Sequence, residues 1–262
     1  MRVLKLGQSL VSSNAPSGGF ENLYSLDFDG NNDYVDFGDE DIFTINNSSA
    51  HRGFSVSAWV KTTGTGDTIL AKNKLSATES EYMLEVGRDG KLAWWVYGGG
   101  SSGIYQYLRL ETPIVGDGNW HHVVGTFNLA DATTSLIVYV DGVQYNYAHA
   151  DTVYGTDGTW AASANTGAKL EMGRVGNASN YFRGNIDEVA IFDSELNGAA
   201  VVEYYNSGTP TDLSGENYLL GYWRNGDTAG TSVYPTLEDY SSNSNDGTMT
   251  NMASGDIVTV VP

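Results

Sequence analysis

The sequence predicts an all-β fold, an antiparallel jelly-roll β-sandwich with one short helix. Three observations predict it. Apolar and polar residues alternate with a period of two through most of the chain. The alternating runs are short and are broken by Asp-Gly, Gly-Asn and Asn-rich turns. Gly (32), Tyr (17) and Trp (6) are abundant while charged side chains make up 17%, which suits pleated, half-buried surfaces joined by tight turns.

Residues 1–19 read as an arm. It carries Arg2 and Lys5, has no acid before Glu21, and ends in the loop-forming run Asn14-Ala15-Pro16-Ser17-Gly18-Gly19. From Phe20 the period is two. Leu26 and Phe28 alternate with Asp27 and Asp29, Gly30-Asn31-Asn32 turns the chain, and Val35 and Phe37 alternate with Tyr34 and Asp36. Phe54, Val56, Ala58 and Val60 share one strand face, with Ser55, Ser57 and Trp59 on the other. Tyr82, Leu84 and Val86 alternate with Met83 and Glu85, Arg88-Asp89-Gly90 marks a hairpin, and 92–97 is its return strand. Further strands are expected at 120–127, at 136–140 with a second Asp-Gly turn at Asp141-Gly142, at 143–147, at 169–173 and at 186–192. A helix is expected over 196–205, stopped by Asn206-Ser207-Gly208. The tail from 209 to 262 is strand-like near 218–224 and 257–261, with a polar loop at 239–246.

The length of 262 residues fits one large sandwich or two small domains, and 40% hydrophobic content is enough for a core. The net charge of −19 repels a phosphate backbone, which argues against nucleic acid, and favours hard cations. The absence of cysteine excludes disulfides, thiolate metal sites and cysteine nucleophiles. No run of 18 apolar residues is present, so no membrane insertion is expected. Residues 1–11 start positively, but Lys5, Gly7, Gln8 and Ser9 break the apolar stretch, so export by a signal peptide is not expected.

Several motifs in order resemble laminin-G-like, concanavalin A-like domains. They are Leu26-Asp27-Phe28-Asp29-Gly30-Asn31-Asn32-Asp33-Tyr34-Val35, Phe54-Ser55-Val56-Ser57-Ala58-Trp59-Val60-Lys61, Asn119-Trp120-His121-His122-Val123-Val124 with Val138-Tyr139-Val140-Asp141-Gly142, and Gly184-Asn185-Ile186-Asp187-Glu188-Val189-Ala190-Ile191-Phe192. The resemblance covers roughly 20–208. The tail, through Leu219-Leu220-Gly221-Tyr222-Trp223 and 239–248, resembles the segment that usually precedes the first strand of such domains. It is either a permutation-like addition to the same sandwich, the preferred reading, or the start of a second, truncated copy.

The layout of arm, one such domain and tail also resembles structural proteins of tailed bacteriophages. That resemblance implies a non-enzymatic virion protein, a capsid decoration or tail component. It would associate with other virion proteins or with itself as a homo-oligomer and touch host-surface polysaccharide. The alternatives are a free extracellular calcium-dependent lectin and, further away, a polysaccharide hydrolase.

Related sandwich glucanases hold a structural calcium with an Asp at the closing strand and oxygens near the first strand. By that resemblance Asp187 is the expected metal ligand, with Asp27, Asp29 or the Gly30 carbonyl. Asp187 is expected on the inward face with Val189 and Ile191; the alternative is a cap on backbone amides. The Glu-x-Asp-x-x-Glu strand of retaining enzymes of this fold is absent. Its nearest substitute is Glu79, Glu81 and Glu85 on one strand face, where i and i+2 side chains stand roughly 6.5–7 Å apart against the ~5–5.5 Å that retaining chemistry requires. His121 and His122 must point to opposite faces, and His122 is expected to be a packed structural histidine; His51 and His149 are isolated. The 239–247 loop lacks EF-hand spacing, and Gly98–Gly103 lacks the Lys-Ser/Thr of a phosphate loop. The best binding candidates are aromatics beside Gly/Ser-rich loops, namely Tyr97, Tyr105, Tyr107, Trp160 and Tyr181, which either stack on sugars or pack sandwich edges.

Overall fold

A computed structural model describes residues 20–45, 53–76, 78–97, 105–128, 136–145, 150–155, 165–176, 178–226 and 234–262, with the backbone alone at 105–113 and 150–155. The strands are β1 (Ser25–Asp29), β2 (Tyr34–Asp36), β3 (Gly53–Thr62), β4 (Asp67–Asn73), β5 (Ser80–Val86), β6 (Lys91–Tyr97), β7 (Tyr105–Ile114), β8 (Trp120–Asn128), β9 (Leu136–Val140), β10 (Val143–Tyr145), β11 (Ala150–Gly155), β12 (Leu170–Met172), β13 (Arg183–Phe192), β14 (Leu219–Trp223), β15 (Thr236–Leu237), β16 (Gly247–Thr250) and β17 (Ile257–Val258). One helix, α1, spans Gly198–Tyr205.

Among the described residues the strands form two antiparallel sheets. The first runs β10-β9-β8-β3-β13-β1-β17 with β14 also on β13, and the second runs β11-β7-β6-β5-β4-β12-β2-β16-β15. Alternation explains the stacking. Inward residues of the first sheet such as Phe28, Val56, Val60, Val123 and Ile186 meet Leu84, Trp94, Val96 and Leu170 of the second in one buried cluster. Trp94 shows how tightly the sheets approach. Its indole N–H donates to the Thr126 carbonyl at 3.0 Å, and a Cβ on Gly125 would lie 2.7 Å from its ring. Only glycine admits that approach. At the β9–β10 turn Asp141 and Gly142 both adopt positive φ, 52° and 77°, as a two-residue type I′ hairpin requires.

Strand β13 organises the first sheet. Along one edge it pairs with β3 through Gly184–Asp187 and Ala190–Phe192; along the other it pairs first with β1, through Arg183–Ile186, and then with β14, through Val189–Phe192. Over the stretch where β1 gives way to β14, the pairing with β3 shifts register between Asp187 and Ala190, and Glu188 there has φ 47°. The tail adds strands to both sheets, as β14 and β17 in the first and β15 and β16 in the second.

The outer face of the first sheet carries a second apolar cluster beneath α1. Phe192 stacks on Tyr204 at 5.8 Å, and Trp59 on Tyr205 at 5.9 Å. The helix begins at Gly198 because the Asn197 side chain accepts the N–H groups of Ala199 and Ala200, and it ends at Asn206 in the left-handed conformation. His122 lies in this layer, buried between Trp59 and Tyr205, with Nε2 2.9 Å from the Ser57 hydroxyl. It is the packed histidine that the alternation predicts. Its neighbour His121 is held instead at the sandwich rim by Asp141 (2.7 Å) and Asp117 (3.2 Å).

The two histidines respond oppositely to acid. Burial depresses the His122 pKa to about 4, whereas the hydrogen bond that His121 donates to Asp141 raises that of His121. For His122 the unfolded chain takes up the proton first. Its stabilisation is therefore complete above the ordinary imidazole pKa and is lost as pH falls towards about 4. For His121 the stabilisation is complete below the ordinary pKa and is lost as pH rises through the raised one. We expect urea denaturation at about pH 7 and about pH 4.5 to show a loss of roughly 2–3 kcal/mol that disappears from the pH dependence of His122→Gln. Imidazole proton shifts should show His122 still neutral where His121 is charged; a normal titration of His122 would contradict this packing.

Candidate functional site

Three turns meet at one end of the sandwich. The β1–β2 turn brings Gly30, the β3–β4 turn brings Thr63, Gly64 and Thr65, and the start of β13 brings Tyr181 and Arg183; together with Asp67 they line a polar cleft of about 300 Å³. The turns are cross-tied. The Thr62 hydroxyl donates to the Arg183 carbonyl at 2.6 Å and accepts the Gly64 N–H at 2.7 Å, and the Arg183 N–H donates to Asp67 Oδ2 at 3.2 Å. A Cβ on Gly64 would lie 1.7 Å from Asp67 Oδ2, so the backbone forms the cradle for that carboxylate. Burial pushes the Asp67 carboxyl above the ordinary carboxylate range, against the pull of the Arg183 N–H and guanidinium.

The remaining groups of the cleft bind by hydrogen bond or by stacking. Arg183 is exposed, its stem runs over Gly30, and it forms no hydrogen-bonded ion pair among the described residues. Arg88 stands at the other side of the turn, its Cγ 3.4 Å from where a Gly66 Cβ would be. Tyr181 is half-buried, and its hydroxyl is bonded to Arg174, which stacks on Tyr34 at 3.3 Å and pairs with Glu171. Asp67, Arg183 and the two threonines were not singled out from the sequence. Gly64 and Gly66, two glycines around a threonine in a turn that a carboxylate closes, were the available signal.

The expected calcium ligands are placed differently. Asp187 faces outward, because it pairs with Trp59 while Ile186 pairs with the core residue Val60, and the shift at 187–188 restores Val189 and Ile191 to the inside. It is buried there, accepts the Asn22 amide at 2.9 Å and the Glu188 N–H at 2.8 Å, and so corrects the inward placement. Asp29 lies opposite Arg183, four residues along β13 from Asp187, a separation of ~13 Å. Its carboxylate caps the N–H groups of Asn31 and Asn32, which hold its pKa down although burial works to raise it. Asp27 lies opposite Asn185, its carboxyl raised by burial and then by the charges of Asp256 and Asp29. Gly30 belongs to the cleft. Asp187, Asp27, Asp29 and Gly30 therefore do not converge, and among the described residues no three His, Asp or Glu side chains do. This donor set does not fit one calcium ion.

The expected carboxylate face is also undone. A register shift at Lys72/Asn73 in the β4–β5 pairing turns Glu81 inward, where it is fully buried. Its Oε1 accepts the Thr166 N–H (3.0 Å) and hydroxyl (2.8 Å) and lies 3.0 Å from Lys72 Nζ, while Oε2 has no hydrogen-bond partner among the described residues. Lys72 also reaches Asp39 at 2.7 Å and the Ala168 carbonyl at 2.6 Å. Burial raises the Glu81 carboxyl, opposed by Lys72. Glu79 pairs with Lys74, and Glu85 accepts the Trp95 indole N–H. Of the other aromatics, Tyr97 is buried and stacks on Trp95. Tyr105 and Tyr107 lie on β7 with side chains outside the described residues, as do Trp160, His51, His149 and Gly98–Gly103 altogether. In the 239–247 loop the Asp239 carboxylate accepts the N–H groups of Tyr222, Ser241 and Asn245, a structural role.

A family model described as the concanavalin A-like lectin/glucanases superfamily, Laminin_G_3, matches residues 29–202. A protein from Bacteroides ovatus, provisionally named a carbohydrate binding protein, superposes with a TM-score of 0.58 at 17% identity over 92% of this chain and 60% of its own. This chain thus spans three fifths of that protein's length. The native heptameric SAP-like pentraxin from Limulus polyphemus gives 0.45 at 14% identity over 70% and 82% of the two chains. Domains LG4-5 of the mouse laminin α1 chain give 0.43 at 15% over 76% and 48%. No curated protein sequence matches.

The Lys72–Glu81 pair makes a direct prediction. Lys72→Met strands a buried carboxylate and should cost about 3–5 kcal/mol in chemical denaturation, whereas Lys72→Met with Glu81→Leu should lose clearly less. Equal losses would show that the pair is not the coupled unit described.

Proposed function

The chain belongs to the concanavalin A-like lectin/glucanases superfamily, and from that premise we propose that it is a non-catalytic saccharide-binding module whose ligand enters the cleft of Tyr181, Arg183 and Asp67. The observation that carries the reading is the make-up of that cleft. An aromatic ring, a guanidinium with no hydrogen-bonded ion pair among the described residues, a carboxylate and two threonines line about 300 Å³. Sugars offer an apolar ring face for stacking and vicinal hydroxyls for charged hydrogen-bonding groups. The cross-tied turns supply the pre-organisation that limits the entropic cost of binding.

Two further points support it. The structure with a TM-score of 0.58 carries a name in carbohydrate binding. The lining includes a single carboxylate, Asp67, whereas hydrolysis by the retaining or inverting route uses two, and the Glu81 carboxylate is committed to Lys72. The setting we assign is a virion surface, on the strength of the sequence layout. A basic arm bearing Arg2 and Lys5 precedes a body of strongly negative charge, an arrangement suited to docking the arm on an acidic neighbour. Residues 1–19 lie outside the described residues.

Glycan-array screening followed by calorimetry tests the cleft. Arg183→Ala should weaken the best array ligand by about 1.5–3 kcal/mol, roughly 10- to 150-fold, with Tyr181→Ala also weakening it and the melting temperature unchanged. A wild-type chain that binds no saccharide, or binding indifferent to both substitutions, would refute the reading.

A further inference from the structure

Taking the cleft of Tyr181, Arg183 and Asp67 as the saccharide site, we infer that its ligand is an acidic oligosaccharide whose sugar carboxylates are held by Arg183 and Arg88. The inference rests on that reading of the cleft and adds the class of sugar. Two arginines flank the β3–β4 turn. Both side chains are exposed, and among the described residues neither makes a hydrogen-bonded ion pair.

The fold sets the two positions in the same way. On one side of the turn, Arg183 lies over Gly30, its Nε 2.7 Å and its Cβ 2.9 Å from where a Gly30 Cβ would be. On the other side, the Gly66 N–H donates to the Val86 carbonyl at 2.9 Å, and the Arg88 Cγ lies 3.4 Å from where a Gly66 Cβ would be. Gly30 and Gly66 have φ 76° and 80°, so each turn needs its glycine, and the bare backbone carries an arginine stem. Strand β4 spaces the pair. Asp67 lies opposite Val86 across one edge, and across the other the Thr68 N–H donates to the Asn180 carbonyl at 3.0 Å. The two arginine-bearing segments therefore stand two strand spacings apart, ~10 Å. That span suits successive units of a short oligosaccharide better than a single ring.

The acids at this rim are turned to the protein. Asp67 is 7% exposed, and its Oδ2 accepts the Arg183 N–H under Gly64. Asp29 caps the N–H groups of Asn31 and Asn32. Asp89 lies 3.5 Å from Lys91 Nζ, and Asp117 accepts the Asn119 N–H at 2.8 Å and pairs with His121. A ligand arriving at the turn therefore meets guanidinium groups before carboxylates. A guanidinium and a carboxylate join through two parallel N–H···O bonds, each roughly twice as strong as a neutral one, and the planar fork fixes the orientation of the sugar. The chain charge of −19 opposes an anion at long range. Acids beyond about 8 Å are screened at physiological salt. A preference for an acidic sugar must then come from these two side chains, which makes it readable by substitution.

The test is calorimetry on the full chain with the tetramer of galacturonic acid and a hyaluronan tetrasaccharide as probes, each beside its carboxyl-reduced, neutral counterpart. At least one acid should bind about tenfold or more tightly than its neutral form. Arg183→Gln and Arg88→Gln should each remove most of that difference while the neutral form keeps its affinity, and the double substitution should erase it. Tyr181→Ala should weaken both forms alike, because stacking does not depend on the carboxylate. Equal, Tyr181-dependent affinity for acid and neutral forms would overturn the inference and leave the saccharide reading standing. No binding of either acid would overturn it as well, and only a blank glycan array would take the saccharide reading with it. An acid preference that survives both arginine substitutions would remove its assignment to this cleft. Binding of a glutamate tetrapeptide as tight as that of the acid tetramer, and indifferent to Tyr181→Ala, would overturn it in favour of an acidic protein partner.

Discussion

The geometry of this molecule depends on how strand β13 divides its free edge between β1 and β14. Two strands cannot occupy the same backbone donors and acceptors, so β1 gives way to β14 between Ile186 and Val189, and over the same stretch the pairing with β3 shifts register, between Asp187 and Ala190. The consequences reach both ends. Ahead of the shift, Arg183 is carried to the rim beside Gly30 and Asp67. Beyond it, Val189 and Ile191 return to the core and Asp193 is delivered to the opposite rim. At the shift itself, Glu188 is buried on the outer side, where it accepts the Tyr222 hydroxyl, and burial followed by the Glu188 charge pushes that phenol well above its ordinary range.

Buried polar groups then set the loops. Lys72 links β4 to Asp39 and to the 165–168 segment through Glu81 and the Ala168 carbonyl. Asp239 gathers the N–H groups of its own loop and of β14. Each is costly to bury and yields a return only when its partners are in place, so such networks specify one loop arrangement more than they add stability. Rims built on them are suited to binding, because less freedom is left to lose when a ligand arrives.

The charge distribution separates the two rims. The chain carries 32 acids and 13 bases, yet among the described residues Arg183 stands in the first cleft without a hydrogen-bonded carboxylate. At the opposite end of β13 the described lining of a second cleft carries Asp193 and Glu216. With a Debye length of about 8 Å at physiological salt, rims separated by the length of β13 act as independent fields.

The sequence by itself determined the sandwich, because two-residue alternation and Asp-Gly turns are local properties. Phe54, Val56, Ala58 and Val60 face inward as read, Asp141-Gly142 makes its hairpin, and His122 packs as its neighbours imply. Tyr181 was legible as a binding candidate because an aromatic beside a turn is visible in the sequence, whereas Gly30, expected as a calcium ligand, lines the cleft instead. What only the tertiary structure decided follows from register. One extra residue in a strand reverses every side chain beyond it, and nothing local marks where it falls. Asp187 therefore moved to the outer face and Glu81 moved inward. Asp67 and Arg183, 116 positions apart, became one site. Long-range pairing alone brings such groups together, because the backbone bonds that do so are chosen by the whole sheet and not by the residues they deliver.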